Sequence, residues 1–258
     1  MLILSLFPGI GLLDMAFAEV FGDEGCIVRG PDPLWGGDIR IFHPPAGRFD
    51  GVIGGPPCQM FSVMRHLNPN SGSRHGNLIP EFERCVSEAQ PEWFLMENVI
   101  DAPLPKVDGY LVRDLILNNR WIGGEQNRTR RFSFGTRAGR VLLVEVVLLE
   151  VFVFEYCVHG SSNGSKIPVR QNSGGQLKRA LKPPTVMAGH GPVGRRAGYE
   201  VNLSLSEMCR LQGLPENFLD EAPFTVLGKR KVIGGGVPLP VGRAIARAVK
   251  EALAVDGL

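Results

Sequence analysis

Short apolar runs punctuated by glycine-rich turns constrain what this chain can fold into more than any other feature. Segments Leu2–Phe7, Leu12–Phe21, Cys26–Val28, Gly51–Ile53, Phe82–Ala89, Trp93–Glu97, Leu111–Asn118 and Arg131–Phe134 alternate between β-rich and helical patterns. Such alternation argues for an open, mainly parallel α/β sheet with helices on both faces, because parallel strands need a crossover between them. With 258 residues, 44% of them apolar, the chain is long enough for one such domain with a small one appended. The pattern changes after Thr136–Arg140. Val141 to Val158 is rich in Val, Leu and Phe with Glu145, Glu150 and Glu155 evenly spaced, and predicts one or two strands of a separate small sheet. Ser204–Leu211 and Pro240–Ala254 read as helices, the second with proline at its start. The expected organisation is an α/β domain over 1–137 and 226–258 and a small β-rich domain over 138–225.

Gly54-Gly55-Pro56-Pro57-Cys58-Gln59 directly follows the run Gly51-Val52-Ile53. Two proline rings fix φ and remove two backbone donors, so Cys58 is held in one orientation where an α/β enzyme presents a nucleophile. A cysteine kept only for packing gains nothing from that setting, although free cysteine is among the residues most often buried. The other cysteines, at 26, 85, 157 and 209, show no paired spacing, and the five histidines form no metal-ligand pattern with them. The expectation is a reducing, cytoplasmic location with no structural metal. Met1–Leu6 is apolar without a preceding basic region and reads as a first buried strand. No stretch long enough to span a bilayer is free of charge.

Phe7-Pro8-Gly9-Ile10-Gly11 follows one β-rich run and precedes a helical one. Glycines there let a ligand approach the backbone, and a helix N-terminus offers unpaired N–H groups. A simple tight turn explains a glycine pair equally well. Charge is spread unevenly about a net of +2: from Arg120 to Arg196 there are 13 Lys/Arg against 4 Asp/Glu. Lys166 to Arg196 holds seven of these basic residues and no acid, in sequence rich in Gly, Ser, Asn and Pro. That suits irregular backbone following a phosphate chain, with a solvated face as the plainer reading. Arg128 and Arg130, two apart, point to one face of an extended segment.

Taken in order, Phe7–Gly11, Gly37-Asp38-Ile39, Gly54–Gln59, Glu97-Asn98-Val99, Gln126-Asn127-Arg128-Thr129-Arg130 and Gly234-Gly235-Gly236-Val237-Pro238 resemble the C5-cytosine DNA methyltransferases, of the compact bacterial or phage type. The resemblance implies a Rossmann-like fold that transfers a methyl group from S-adenosylmethionine to C5 of a flipped-out cytosine in double-stranded DNA. It implies S-adenosylhomocysteine as product and no metal. It further implies that Cys58 adds to C6, that Glu97 holds N3 and the exocyclic amine behind the apolar run Trp93–Met96, and that Arg130 contacts O2 and helps position Glu97. Arg128 would bind near the flipped nucleotide or its phosphate. The implied cofactor pocket comprises Phe7, Gly9, Ile10, Gly11, Pro57, Leu78 and Val237, with Asp38 and Ile39 receiving the adenine edge and face.

Three departures from the family pattern stand out. Gly30 occupies the place of a ribose-binding carboxylate, which leaves Asp32, two residues on, as the substitute; Gly235 replaces an Asn; and Gly124-Glu125 replaces Val-Pro. Unreplaced, the ribose bonds would cost roughly 1.5–3 kcal/mol of affinity. The region between Arg140 and Lys178, where the family carries its target-recognition domain, is short, so base-edge contacts fall to Ser161–Gln176. The resemblance is compatible with a monomer or a dimer, and with or without a cognate restriction endonuclease. The competing readings are a transfer-RNA-type cytosine-5 methyltransferase, a cofactor-deficient DNA-binding relative, and an amino-methyltransferase. The last needs an Asp/Asn-Pro-Pro-aromatic loop where this chain has Pro56-Pro57-Cys58.

Overall fold

The structure is a computed structural model and describes residues 1–57, 61, 76–147, 170–171, 177–178 and 203–254. The chain divides into two compact units. Met1–Asn118, Thr129–Glu145 and Val241–Leu258 form the first, Asn119–Arg128 and Val146–Pro240 the second. Relative to the boundaries expected from sequence, residues 119–128 and 226–240 fall with the second unit and residues 138–145 with the first. The strands are β1 (Leu2–Leu6), β2 (Cys26–Arg29), β3 (Gly51–Gly54), β4 (Trp93–Asn98), β5 (Leu111–Asn118), β6 (Thr129–Thr136), β7 (Arg170–Gln171) and β8 (Leu177–Lys178). The helices among the described residues are α1 (Leu12–Phe21), α2 (Ile79–Ala89), α3 (Leu205–Leu211), α4 (Val226–Gly235) and α5 (Leu239–Ala254).

In the first unit six strands lie in the order β2-β1-β3-β4-β6-β5. β1 pairs in parallel with β2 and β3, and β3 with β4; β6 runs antiparallel to both β4 and β5. This is the Rossmann-like α/β sheet expected, with an antiparallel extension. Alternation along β4 explains why helices cover both faces. Trp93 stacks on Phe17 of α1 with ring centroids 6.2 Å apart, while its neighbour Phe94 meets Phe82 of α2 edge-on at 5.9 Å. Glycines let these rings lie across the adjacent strands: a Cβ at Gly51 would stand 2.2 Å from Trp93, and one at Gly135 2.2 Å from Phe94. α5 crosses α1 where Gly242 faces Ala16, flanked by Arg243–Glu19 and Lys250–Glu24 pairs, each at 2.6 Å. Such exposed pairs are worth at most about 1 kcal/mol, whereas burying each large apolar side chain contributes about 1.5–3 kcal/mol. Packing, not charge, therefore holds these helices.

No helix joins β2 to β3. Instead Asp32 and Asp38 each cap a short 3-10 turn, Pro33–Trp35 and Ile39–Ile41, by accepting from Leu34 N and Arg40 N. The strands expected within Val141–Val158 are corrected over its described part. Residues 141–147 form no strand, and Val141, Leu143, Val146 and Val147 are exposed. Strand-rich composition reports fit to a pleated surface and does not supply the partner whose backbone completes the ladder. The remainder, 148–158, lies outside the described residues.

In the second unit β7 pairs antiparallel with β8. α3 opens on a capping box in which Ser204 accepts from Glu207 N and the Glu207 side chain accepts from Ser204 N. α4 starts at Thr225, whose side chain accepts from Gly228 N. Among the described residues no helix is long and apolar enough to cross a membrane, and no group of three or more His, Cys, Asp or Glu could hold a metal ion.

Candidate active site

Parallel pairing brings the carboxyl ends of four strands to one edge of the sheet: Ser5 lies level with Arg29, Leu6 with Gly54, and Gly54 with Met96. Strand order reverses between β1 and β3, the place where open α/β sheets leave a crevice for ligands. In the loop after β1, Phe7, Gly9 and Gly11 have φ of 56°, 58° and 83°. Phe7 is not glycine, and this conformation persists because its N–H donates to Pro31 O at 3.3 Å while its ring joins Ile39 and Leu78 in one buried cluster. Three of the residues expected around the cofactor are thus in a single core. Nothing lies within 4 Å of a Cβ built at Gly9, so the backbone is open there. Gly11 begins α1 without a side-chain cap. Ile10 and Pro57 are half-buried. Asp38 is half-exposed, with Oδ1 3.0 Å from Arg40 N.

β3 delivers the chain to Gly55-Pro56-Pro57 beside the end of β4. A Cβ at Gly55 would stand 3.1 Å from Glu97 Oε2, so this loop passes close against the carboxylate. Asn98 donates its side-chain amide to Pro56 O at 3.2 Å and accepts from Val99 N at 2.9 Å, tying loop and strand end together. Glu97 is 9% exposed, and its Oε1 lies 2.8 Å from Arg130 Nε. The carboxylate and guanidinium are brought together by antiparallel β6, in which Asn98 is level with Arg131. Cys58 lies outside the described residues, two peptide bonds beyond Pro56.

Arg128 precedes β6 and does not share a strand face with Arg130, which corrects the expectation from their spacing. Its guanidinium is 2% exposed and donates within the second unit to the carbonyls of Gly234 and Gly236, at 2.9 and 3.0 Å. Gln126 and Gln212 are fully buried beside it. Gln126 donates to Leu211 O at 2.7 Å and Gln212 Oε1 at 2.8 Å, and Gln212 donates to Ile233 O. Val237, 6% exposed, also belongs to the second unit.

The profile of the C-5 cytosine-specific DNA methylases matches residues 35–102, a span holding Asp38, Gly54–Gln59, Leu78 and Glu97. Type II methyltransferase M.NgoPII of Neisseria gonorrhoeae is 26% identical over 331 positions, covering 98% of this chain and 96% of that protein. Type II methyltransferase M.FnuDI of Fusobacterium nucleatum is 34% identical over 165 positions, but the match spans only 53% of this chain and 47% of that protein. The chain is thus similar to the C-5 cytosine-specific DNA methylases over residues 35–102 and to a Type II methyltransferase over nearly its whole length. Solved structures agree on the fold. Entamoeba histolytica methyltransferase EhMeth superposes with a TM-score of 0.61 at 13% identity, over 100% of this chain and 99% of that one; S. pombe Dnmt2 methyltransferase gives 0.61 at 14%, over 97% and 99%.

The chain's departures from the family pattern have structural correlates. A Cβ at Gly30 would stand 3.0 Å from Leu6 Cδ2 and 3.2 Å from Ser5 O, so a longer residue there needs these neighbours to give by a few tenths of an ångström. Asp32, the substitute expected for the ribose carboxylate, is buried and accepts from Gly9 N at 2.8 Å and Leu34 N at 2.6 Å. Sequence reasoning also missed Arg84 of α2. It donates to the carbonyls of Ile39 and Phe42 at 2.8 and 3.0 Å while pairing with Glu81 and Glu88, and so fixes the segment after Asp38. The i, i+3 and i, i+4 acids around it are a legible signal for its pairing, but not for its bonds to backbone.

Proposed function

We propose that this protein is a DNA (cytosine-5)-methyltransferase that uses S-adenosylmethionine and a covalent adduct between Cys58 and C6 of a flipped-out cytosine. The observation that carries the reading is the joining of Gly55-Pro56 to Glu97-Asn98, with Arg130 on Glu97. A cytosine ring has a nucleophile to one side and needs its N3 edge held on another, and the loop toward Cys58 is fastened to the strand end that carries the carboxylate. Thiolate addition at C6 places an electron pair at C5, C5 takes the methyl group, and loss of the C5 proton expels Cys58. Glu97 binds the N3 and amine edge, and Arg130 orients Glu97 by its ion pair. Buried as it is, that pair holds its geometry without solvent competition.

S-adenosylmethionine supplies the electrophilic methyl when bound. The residues present fit it. Gly9 leaves open space for backbone approach, α1 starts without a side-chain cap, and Phe7, Ile39 and Leu78 form an apolar wall. The flipped base leaves its stack at a cost of a few kcal/mol, which contacts to the DNA backbone must offset. Double-stranded DNA is the proposed substrate, in the setting that the Type II methyltransferase names of M.NgoPII and M.FnuDI denote. The test is incubation with labelled S-adenosylmethionine and duplex DNA carrying 5-fluorocytosine. A denaturation-resistant protein–DNA adduct, lost in Cys58→Ala, is expected. No adduct with DNA, but one with transfer RNA, would reassign the substrate.

A further inference from the structure

Gly9 sits in the loop after β1 with φ 58° and open space where a Cβ would be, and one short segment after β2 holds both of its peptide groups. Its N–H donates to Asp32 Oδ2 at 2.8 Å, and its carbonyl accepts from the indole Nε1 of Trp35 at 2.8 Å. The holding segment is itself knotted. Asp32 Oδ1 accepts from Leu34 N at 2.6 Å, and Asp32 O accepts from Trp35 N and Gly37 N, both at 3.0 Å. Gly37 packs so closely that a Cβ there would stand 2.9 Å from Asp32 N. Asp32 is 8% exposed but Trp35 is 57% exposed, so burial of the ring does not account for its placement, whereas its N–H bond does.

We propose that Asp32 and Trp35 are positioning residues that clamp Gly9 in the conformation presenting the loop backbone to a nucleoside cofactor, and that the Asp32 carboxylate is committed to backbone N–H groups in place of ribose hydroxyls. The inference rests on the cofactor reading above and adds the residues that pre-form its loop. Glycine has more backbone freedom than any other residue, and an unclamped Gly9 spends time in conformations that do not bind. Apparent affinity falls in proportion to the fraction of chain in the competent state. A charge-assisted bond restrains one side of Gly9 and the indole bond the other.

The test uses the full chain, with S-adenosylhomocysteine and its 2′-deoxyribose analogue titrated calorimetrically into wild type, Asp32→Asn and Trp35→Phe. Hydrogen exchange of the peptide spanning Phe7–Gly11 is followed in ligand-free protein. Affinity for S-adenosylhomocysteine is expected to fall about tenfold in Asp32→Asn and about fivefold in Trp35→Phe, which keeps the ring and loses the donor. Exchange of the peptide is expected to quicken in both variants before any ligand is added. Removing the 2′-hydroxyl is expected to weaken binding by the same factor in wild type and in Asp32→Asn, since the two groups do not meet. A larger factor in wild type makes Asp32 a ribose ligand and overturns the proposal. Wild-type affinity and exchange in Trp35→Phe overturn it too. Should Asp32→Asn not fold, Trp35→Phe, altered at an exposed side chain, carries the test. A wild-type protein that binds neither probe defeats the cofactor reading instead, and exchange without ligand still judges the clamp.

Discussion

Arg130 and Glu97 have side chains only 16% and 12% exposed, a burial at which removing one member of an ion pair is costly. Arg130→Met is therefore expected to lower stability by about 3–5 kcal/mol. Glu97→Gln should cost less, because the amide keeps a carbonyl acceptor. In urea unfolding of both single variants and the double, the double should lose less than the two singles together; additivity within about 0.5 kcal/mol would deny the pair any coupling. Thiols offer a second test. Burial pushes the Cys85 thiol up to about 11 and raises that of Cys209, whereas Cys26 is exposed. Since the thiolate is the nucleophile, iodoacetamide on native protein at about pH 8 should mark Cys26 and spare Cys85 and Cys209 by mass mapping. The same shift has a stability consequence. The folded state holds the Cys85 proton more tightly than the unfolded chain, so this contribution is full below the unfolded value and is lost as pH rises through about 11. At this scale Glu97 and Arg130 are legible in sequence because family spacing marks them. Trp35 and Arg84 are not, because they act on the carbonyls of Gly9, Ile39 and Phe42, and no side-chain pattern announces a bond to backbone.

Among the elements, α2 does more than cover one face of the sheet. Through Arg84 it anchors residues 39–42, the stretch beside Asp38. Arg84→Leu is expected to leave α2 formed, because Phe82, Cys85 and Val86 keep it buried, yet to weaken S-adenosylhomocysteine binding severalfold. Its pH signature is specific. Burial alone would raise the Glu88 carboxyl, but hydrogen bonds from Arg84 and His43, with their charge, hold it below the ordinary value. A depressed folded value stabilises above the unfolded one and is lost as pH falls through it. Unfolding free energy measured between about pH 5 and pH 3 should thus fall less steeply in Arg84→Leu than in wild type; identical slopes would remove Arg84 as the cause. Periodicity makes α1, α3 and α5 legible, with Ser204 and Pro240 marking two of their starts. It does not show that β6 runs antiparallel to β4 and β5, since side-chain alternation has the same period in either strand direction. Nor does it find α4, whose sequence Val226–Gly235 has glycines at three of ten positions and little apolar stripe.

For the molecule as a whole, the alternation of apolar runs suffices for the sheet. The second unit is harder to read because residues 119–128, which join two strands of the first unit, belong to it. Gln126, Arg128 and Gln212 are buried there by hydrogen bonds to one another's segments, and polar residues of that kind look like surface in a sequence. Charge, by contrast, is legible without coordinates. The alignment with M.NgoPII runs over 331 positions, so more than seventy of them are gaps in a chain of 258 residues. On the proposed function, this chain has fewer residues than that relative with which to hold DNA. Its seven Lys/Arg between Lys166 and Arg196, with no acid among them, would then carry a large share of phosphate binding. Each phosphate neutralised contributes about −0.9 to the slope of log K against log salt. Replacing Lys178, Arg179 and Lys182 with Gln should therefore reduce the slope magnitude by up to about 3, read by fluorescence anisotropy of a duplex oligonucleotide between about 50 and 200 mM salt. S-adenosylhomocysteine binding serves as the control, expected unchanged because none of the three cations is among the residues proposed to hold the cofactor. An unaltered slope would mean that these cations do not meet phosphates and that DNA follows a different path over the chain.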